Sequence, residues 1–270
     1  MKSTLFVSDL DGTLLNNAQA LSRFTIDTVN KFTDLGYKFC YATARSNATA
    51  SIVTDGICKN MPVIVYNGTF ILENGSQKIL KGNYFSRSDA DRITNTLLEH
   101  GISPIVYAFI DNKERFSFVP DSINQMTDDF ITTRDDPRKR IATASQLLDG
   151  DVFHFTCIDE SKKLLSAYEE LKDHYDCVYH IDIYSNCPWL EIQPNGVSKA
   201  RAVFDLKEML GLERIVCFGD GVNDIPMFEI ADECYAVKNA HESLKRIATG
   251  IIDTNENDGV ARWIENRFLS

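Results

Sequence analysis

Asp9-Leu10-Asp11-Gly12-Thr13-Leu14-Leu15, directly after the apolar run Leu5-Phe6-Val7, is the stretch on which the reading of the fold turns. Asp is disfavoured inside strands, so two carboxylates flanking Leu10 at the end of an apolar run mark a strand that stops in order to present chemistry. An Asp-Gly pair alone is an ordinary turn signal. The second Asp two residues earlier and the Thr after the Gly make the full string much less common. Asp9 can attack an electrophile as a carboxylate nucleophile, Asp11 can act beside it as acid and base, and Gly12 lets backbone N–H groups approach an anion.

Two further segments repeat the pattern. The apolar run Ile215-Val216-Cys217-Phe218 ends in Gly219-Asp220-Gly221-Val222-Asn223-Asp224, a second group of hard oxygens on a Gly-rich loop. Oxygens from two such loops suit Mg2+, which binds one or two carboxylates together with substrate phosphate. Phe39-Cys40-Tyr41-Ala42-Thr43-Ala44-Arg45 reads as a strand running into Thr43, followed by the helix-cap residue Ser46,. A hydroxyl and N–H groups at a helix start bind phosphate.

Strands alternate with helices at both ends of the chain. Helical periodicity covers 21–35, with Gly36 at the stop, and a second helix is expected over 46–57,. Val63-Ile64-Val65-Tyr66 runs into Asn67-Gly68 and another apolar run at 69–72, which reads as a tight hairpin,. Past Lys199 a helix to Leu210, the stop Gly211 and the strand to Phe218 resume the alternation. Helices between apolar runs imply an α/β fold with a doubly wound, Rossmann-like parallel sheet. The three chemical loops then share the C-terminal strand edge, where such sheets bind ligands.

The middle of the chain has another texture. Ile105 to Ile110, the turn-like Asp111-Asn112 and Arg115 to Val119 read as an antiparallel hairpin, with further strands at 152–157 and 178–183 and a helix at 162–174,. This predicts an inserted α+β domain over 83–188 between core segments 1–82 and 189–270. Pro188 to Pro194 reads as the returning strand and hinge, which either domain could own. His154 reads as a strand histidine before a substrate contact. Asp128-Asp129 and Asp135-Asp136 read as solvated charges before a metal site.

With these motifs in order, the chain resembles the haloacid dehalogenase superfamily of phosphohydrolases, in its Cof-type branch with a large α/β cap after the second motif. The resemblance runs through Asp9 to Thr13, Thr43, Lys199 in Gly196-Val197-Ser198-Lys199, Gly219 to Asp224, and Asp258-Gly259-Val260-Ala261. It implies Asp9 as nucleophile and metal ligand, and Asp11 as acid and base with its backbone carbonyl on the metal. Thr43 and Lys199 would hold phosphate, and Asp220 would ligate Mg2+ directly. Asn223 and Asp224 would complete the site by direct ligation, through water, or by orienting Lys199, and these roles stay open. Lys238 before Asn239-Ala240 departs from the small residue usual there.

Composition bounds the rest. The chain has 270 residues, 44% of them hydrophobic, and a formal charge of −11. That is enough for one large domain or two smaller ones, and it argues against a nucleic-acid partner. The acidic surplus would repel anionic substrates except where Mg2+, Lys199 and Arg45 reverse the sign locally, which makes Arg45 a candidate substrate contact. Seven Cys without a C-x-x-C pair fit reduced thiols in the cytoplasm,. Neither a signal peptide nor a membrane-spanning run is expected. The resulting expectation is a Mg2+-dependent phosphatase of small phosphorylated metabolites, sugar phosphates first, with protein partners unknown. The cap would act as a lid that chooses the ester. A phosphotransferase, or a phosphate-binding regulatory protein on the same fold, is the alternative. An ion-pumping ATPase is disfavoured by Leu10-Asp11 and dehalogenation by the metal cluster.

Overall fold

The computed structural model describes residues 3–57, 59–76, 78–133, 135–181 and 185–269. Backbone contacts divide the chain into two compact units, residues 1–82 with 197–270, and residues 83–196.

The first unit is built on β1 (Thr4–Ser8), β2 (Lys38–Tyr41), β12 (Arg214–Gly219), β13 (Glu233–Val237) and β14 (Gly250–Ile252). They form one sheet in the order β14-β13-β12-β1-β2, parallel throughout. Every residue of β1 is buried, as a central parallel strand requires,. Because β1 pairs with β12 and β2 in register, Ser8 lies beside both Phe218 and Tyr41, so all three chemical loops leave the sheet at one edge. A single bridge from Ala42 to Ile64 brings β3 (Pro62–Val65) alongside β2.

The helices of this unit are α1 (Arg23–Asp34), α2 (Asn47–Val53), α6 (Lys199–Met209), α7 (Ile225–Glu229), α8 (Glu242–Ile247) and α9 (Gly259–Ile264). Local chemistry sets their ends. Ser22, Ser46 and Ser198 cap α1, α2 and α6 by accepting N–H bonds from Thr25, Thr49 and Arg201, worth ~1 kcal/mol each. Gly36, at φ 91°, ends the first of them,. α1 buries Val29 and Phe32, and Phe32 meets Phe6 of β1 edge to face at 5.0 Å, a geometry worth ~0.5–1.5 kcal/mol beyond its area.

β3 also pairs antiparallel with β4 (Phe70–Glu73), which pairs with β5 (Ile79–Gly82). The expected tight hairpin is here a four-residue connection, since Val65 opposes Phe70. Tyr66, Asn67 and Gly68 all take positive φ. Gly68 is required by packing: a Cβ there would stand 2.3 Å from the Ser198 carbonyl oxygen at the start of α6.

The second unit carries β6 (Ile105–Ile110), β7 (Lys113–Phe118), β8 (Lys139–Ile141), β9 (Asp151–Ile158), β10 (Asp176–Ile181) and β11 (Pro188–Gln193), with α3 (Arg87–Glu99), α4 (Gln125–Thr132) and α5 (Ser161–Leu171). Its sheet runs β10-β11-β9-β6-β7-β8 and is antiparallel except at β7-β8. Ile93 and Leu97 of α3 and Leu164 and Leu171 of α5 pack against Val106, Phe155, Leu190 and Ile192 of the sheet. Each such side chain contributes ~1.5–3 kcal/mol by leaving water. β7 begins at Lys113 rather than Arg115, because Asp111 and Asn112 at φ 50° and 59° make a two-residue turn with Ile110 opposite Lys113,. Of the strand expected at 178–183, residues 182 and 183 lie outside the described residues.

The return boundary is corrected. Residues 189–193, expected in the core, are hydrogen-bonded between β9 and β10 as the inner strand β11. The ladder therefore holds them in the second unit, and the crossing falls after Gly196. Among the described residues no helix is long and apolar enough to cross a membrane.

Candidate active site

Asp9 is the first residue past β1. Its backbone N–H donates to the Phe218 carbonyl at 3.0 Å, and the Ala42 N–H donates to the Ser8 carbonyl at 2.9 Å, which ties the ends of three strands together. The Asp9 side chain is buried. Lys199 Nζ, 2% exposed, donates to Asp9 Oδ1 at 2.5 Å and to Asp224 Oδ1 at 2.7 Å.

Asp224 is committed on both oxygens, since its Oδ2 accepts the Asp220 and Gly221 N–H groups at 3.1 Å each. The contacts the structure gives Asp224 are therefore with the Lys199 ammonium and the backbone of its own loop. Asp220 is held by Thr13, whose hydroxyl donates to Asp220 Oδ1 at 2.9 Å. Asn223 is exposed on the same loop, its Oδ1 beside Gly221. The turn requires Gly12: at φ 76° an added Cβ would lie 2.3 Å from Asp220 Oδ2.

Oxygens of Asp9, Asp220 and Asp224 lie within 4.8 Å of one another. Burial pushes the Asp9 carboxyl well above its usual range; Lys199 opposes that shift, while Asp224 and Asp220 add to it. Asp220 is pushed up by burial first and by Asp224. Burial disfavours the Lys199 ammonium, but Asp9 and Asp224 outweigh it and drive its pKa up, so the ammonium persists. Three acidic side chains crowd one ammonium, and a divalent cation would relieve the mutual repulsion that raises Asp9 and Asp220. All-oxygen donors of this kind are hard-cation ligands. The residues present therefore fit a metal at Asp9 and Asp220. Among the described residues no other acidic, His or Cys group converges in this way.

Thr43 is buried past β2. Its N–H donates to the Ile64 carbonyl at 3.0 Å, and its hydroxyl oxygen accepts the Arg45 N–H at 3.1 Å, so the hydroxyl can still donate to an anion. The Arg45 side chain lies on Asp11, with Nε to Oδ2 at 2.7 Å and Nη2 to Oδ1 at 2.5 Å. The partner the structure gives Arg45, expected from charge alone as a substrate contact, is thus the Asp11 carboxylate.

Thr13, noted as part of the first motif, and Asn239 were given no role by the sequence. Asn239 Nδ2 donates to the Gly12 carbonyl at 2.7 Å, and its Oδ1 accepts the Asn255 N–H at 3.1 Å. Asn255 in turn donates to the Leu15 carbonyl at 3.0 Å. The signal for Asn239 was its place two residues after the apolar strand β13, on the edge that carries the other loops. In the second unit, His154 is a buried strand histidine, 3.1 Å from the Thr156 hydroxyl and 3.6 Å from Glu191. Asp136 is ion-paired with Arg138 at 2.6 Å. Burial also pushes the Cys40 and Cys217 thiols up, which leaves them inert in the sheet,.

A parallel α/β sheet with a buried carboxylate, a buried lysine and a second acidic loop at one strand edge defines a doubly wound α/β enzyme. A sequence model of the haloacid dehalogenase-like hydrolases matches residues 6–264, and the chain belongs to that family. It is similar to the Bacillus subtilis 5-amino-6-(5-phospho-D-ribitylamino)uracil phosphatase YitU, 27% identical over 99% of this chain and 98% of that protein. The Escherichia coli pyridoxal phosphate phosphatase YbhA is 22% identical over the full length of both. In fold, a Thermotoga maritima crystal structure superposes with a TM-score of 0.81 at 24% identity, covering 97% of this chain and 96% of that one. A haloacid dehalogenase-like hydrolase from Bacteroides thetaiotaomicron superposes at 0.79 and 24%, covering 98% and 99%. The protein is thus a hydrolase of a phosphatase family.

Proposed function

We propose that this chain is a Mg2+-dependent phosphomonoesterase of small phosphate esters, sugar phosphates first, working through an aspartyl-phosphate on Asp9. The observation that carries the reading is the buried Asp9 carboxylate, held by Lys199 within 4.8 Å of two further carboxylates.

An Asp9 oxygen forms a bond to phosphorus while the bond from phosphorus to the ester oxygen breaks, and Asp11 gives that leaving oxygen its proton. Asp11 then takes a proton from water as the water oxygen attacks phosphorus, the Asp9–phosphorus bond breaks, and inorganic phosphate leaves. The Thr43 hydroxyl and the Lys199 ammonium hold phosphoryl oxygens through both halves. Mg2+ on Asp9, Asp220 and the Asp11 carbonyl would neutralise phosphate charge, the main requirement of phosphoryl transfer. Lys199 is a fixed cation at the nucleophile, and Asp224 keeps it aimed there.

Phosphate release over a panel of phosphorylated metabolites, with and without Mg2+, tests the reading. The phosphorylated ribitylaminouracil and pyridoxal phosphate belong in the panel, since relatives at 27% and 22% identity are named for them. Metal-dependent release that disappears in Asp9→Asn supports the proposal. Full release after exhaustive chelation, or by the folded Asp9→Asn protein, refutes it.

A further inference from the structure

Asp11 sits in the turn after β1 with its side chain 47% exposed. A carboxylate so placed would ordinarily sample several rotamers, and acid–base transfer demands one. The Arg45 guanidinium contacts both of its oxygens, at 2.7 and 2.5 Å. Such a fork fixes the plane of the carboxylate as well as its position, which an ammonium cannot do.

Arg45 is itself fixed at several points. Its side chain is 18% exposed, and Nη2 also donates to Gln19 Oε1 at 2.9 Å. Its N–H donates to the Thr43 hydroxyl oxygen at 3.1 Å, and its carbonyl accepts the Tyr66 N–H at 2.9 Å. A half-exposed ion pair adds little to stability, so stability does not account for this arrangement. What it does accomplish is mechanical: one residue joins the Thr43 turn to the Asp11 carboxylate.

We propose that Arg45 is the positioning residue of Asp11, holding its carboxylate in register with whatever the Thr43 turn binds. This rests on the acid–base reading of Asp11 given above. The competing role is a phosphate ligand, in which Arg45 touches the ester's phosphoryl group.

The experiment measures kcat and KM for esters ranging from activated aryl to simple alkyl phosphates, with inhibition by inorganic phosphate, in wild type, Asp11→Asn, Arg45→Met, Arg45→Lys and the double variant Asp11→Asn/Arg45→Met. Arg45→Met should lose on the order of tenfold in kcat on alkyl esters and less than about threefold on aryl esters, a portion of the effect of general acid–base catalysis. Phosphate inhibition should stay within about twofold of wild type, and the double variant should be no slower than Asp11→Asn alone, as for two residues acting as one unit. Arg45→Lys should fall short of wild type on alkyl esters, and it carries the test if Arg45→Met does not fold. Parallel rises in KM and in the phosphate inhibition constant for every ester, or losses that multiply in the double variant, would overturn the positioning role. If Asp11→Asn itself loses equally on aryl and alkyl esters, the acid assignment fails first and the proposal goes with it. A leaving-group-dependent Asp11→Asn beside a uniform Arg45→Met condemns the Arg45 proposal alone.

Discussion

Asp9 is a carboxylate that the folded chain makes costly to ionise. Burial raises its pKa more than Lys199 lowers it, with Asp224 and Asp220 adding repulsion. The folded chain therefore binds that proton more tightly than the unfolded chain, which releases it near the ordinary carboxylate value,. Stability from this group is fully present below that value and is lost as pH rises through the raised one. Asn mimics the protonated form. In the absence of metal, the Tm of Asp9→Asn minus that of wild type should grow more positive from acid to neutral pH, followed by circular dichroism. A difference that shrinks with pH would mean Lys199 dominates instead. Asp9, Asp11, Thr43 and Asp220 could be singled out by type, because each stands out against the apolar run it follows, whereas Lys199 was implied by the family resemblance alone. The engagement of Arg45 by Asp11 was not legible. Charge alone suggested a substrate contact, and which anion an arginine meets depends on where its fork is carried.

At the scale of elements, the site depends on loops that approach one another more closely than a Cβ allows. Gly12, at φ 76°, lets the Asp220 carboxylate come over the turn after β1. Gly12→Ala forces a left-handed Ala, costing ~1–2 kcal/mol, and moves either the turn or Asp220. Since a displacement of about 1 Å at a reacting centre can cost on the order of 10²-fold, kcat should fall by about that factor while the Tm drops only modestly. Steady-state assay and a thermal melt of the same preparation decide it; an unaltered kcat would show that Asp220 is not held by this approach. The start of α2 was readable from Ser46, since a cap is a contact within a few residues. The length of the Tyr66–Thr69 connection was not, because Gly68 is shaped by Ser198, which lies far along the chain.

At the scale of the molecule, the acidic cluster joins residues whose separation in sequence is 207 positions between Thr13 and Asp220 and 190 between Asp9 and Lys199. It exists only when the sheet is assembled, so a cation bound there stabilises the folded state over the unfolded one. At a hundredfold excess over the dissociation constant the gain is about 2.7 kcal/mol. Mg2+ should raise the Tm of the chelated protein, and Asp220→Asn should remove most of the rise; an equal rise in that variant would place the cation elsewhere. The amino-acid sequence by itself determined the class of fold, the edge at which chemistry is presented and the residue types that carry it. Hydrophobic period, caps and glycine turns are local properties, expressed within a few residues. Only the tertiary structure decided that Asp224 aims Lys199, that Arg45 belongs to Asp11, that Asn239 fastens the first loop, and that 188–193 is an inner strand of the inserted sheet. Each of these is a hydrogen bond or ion pair whose partner is brought into reach by strand pairing and packing, and neither leaves a mark on the residues nearby in the chain.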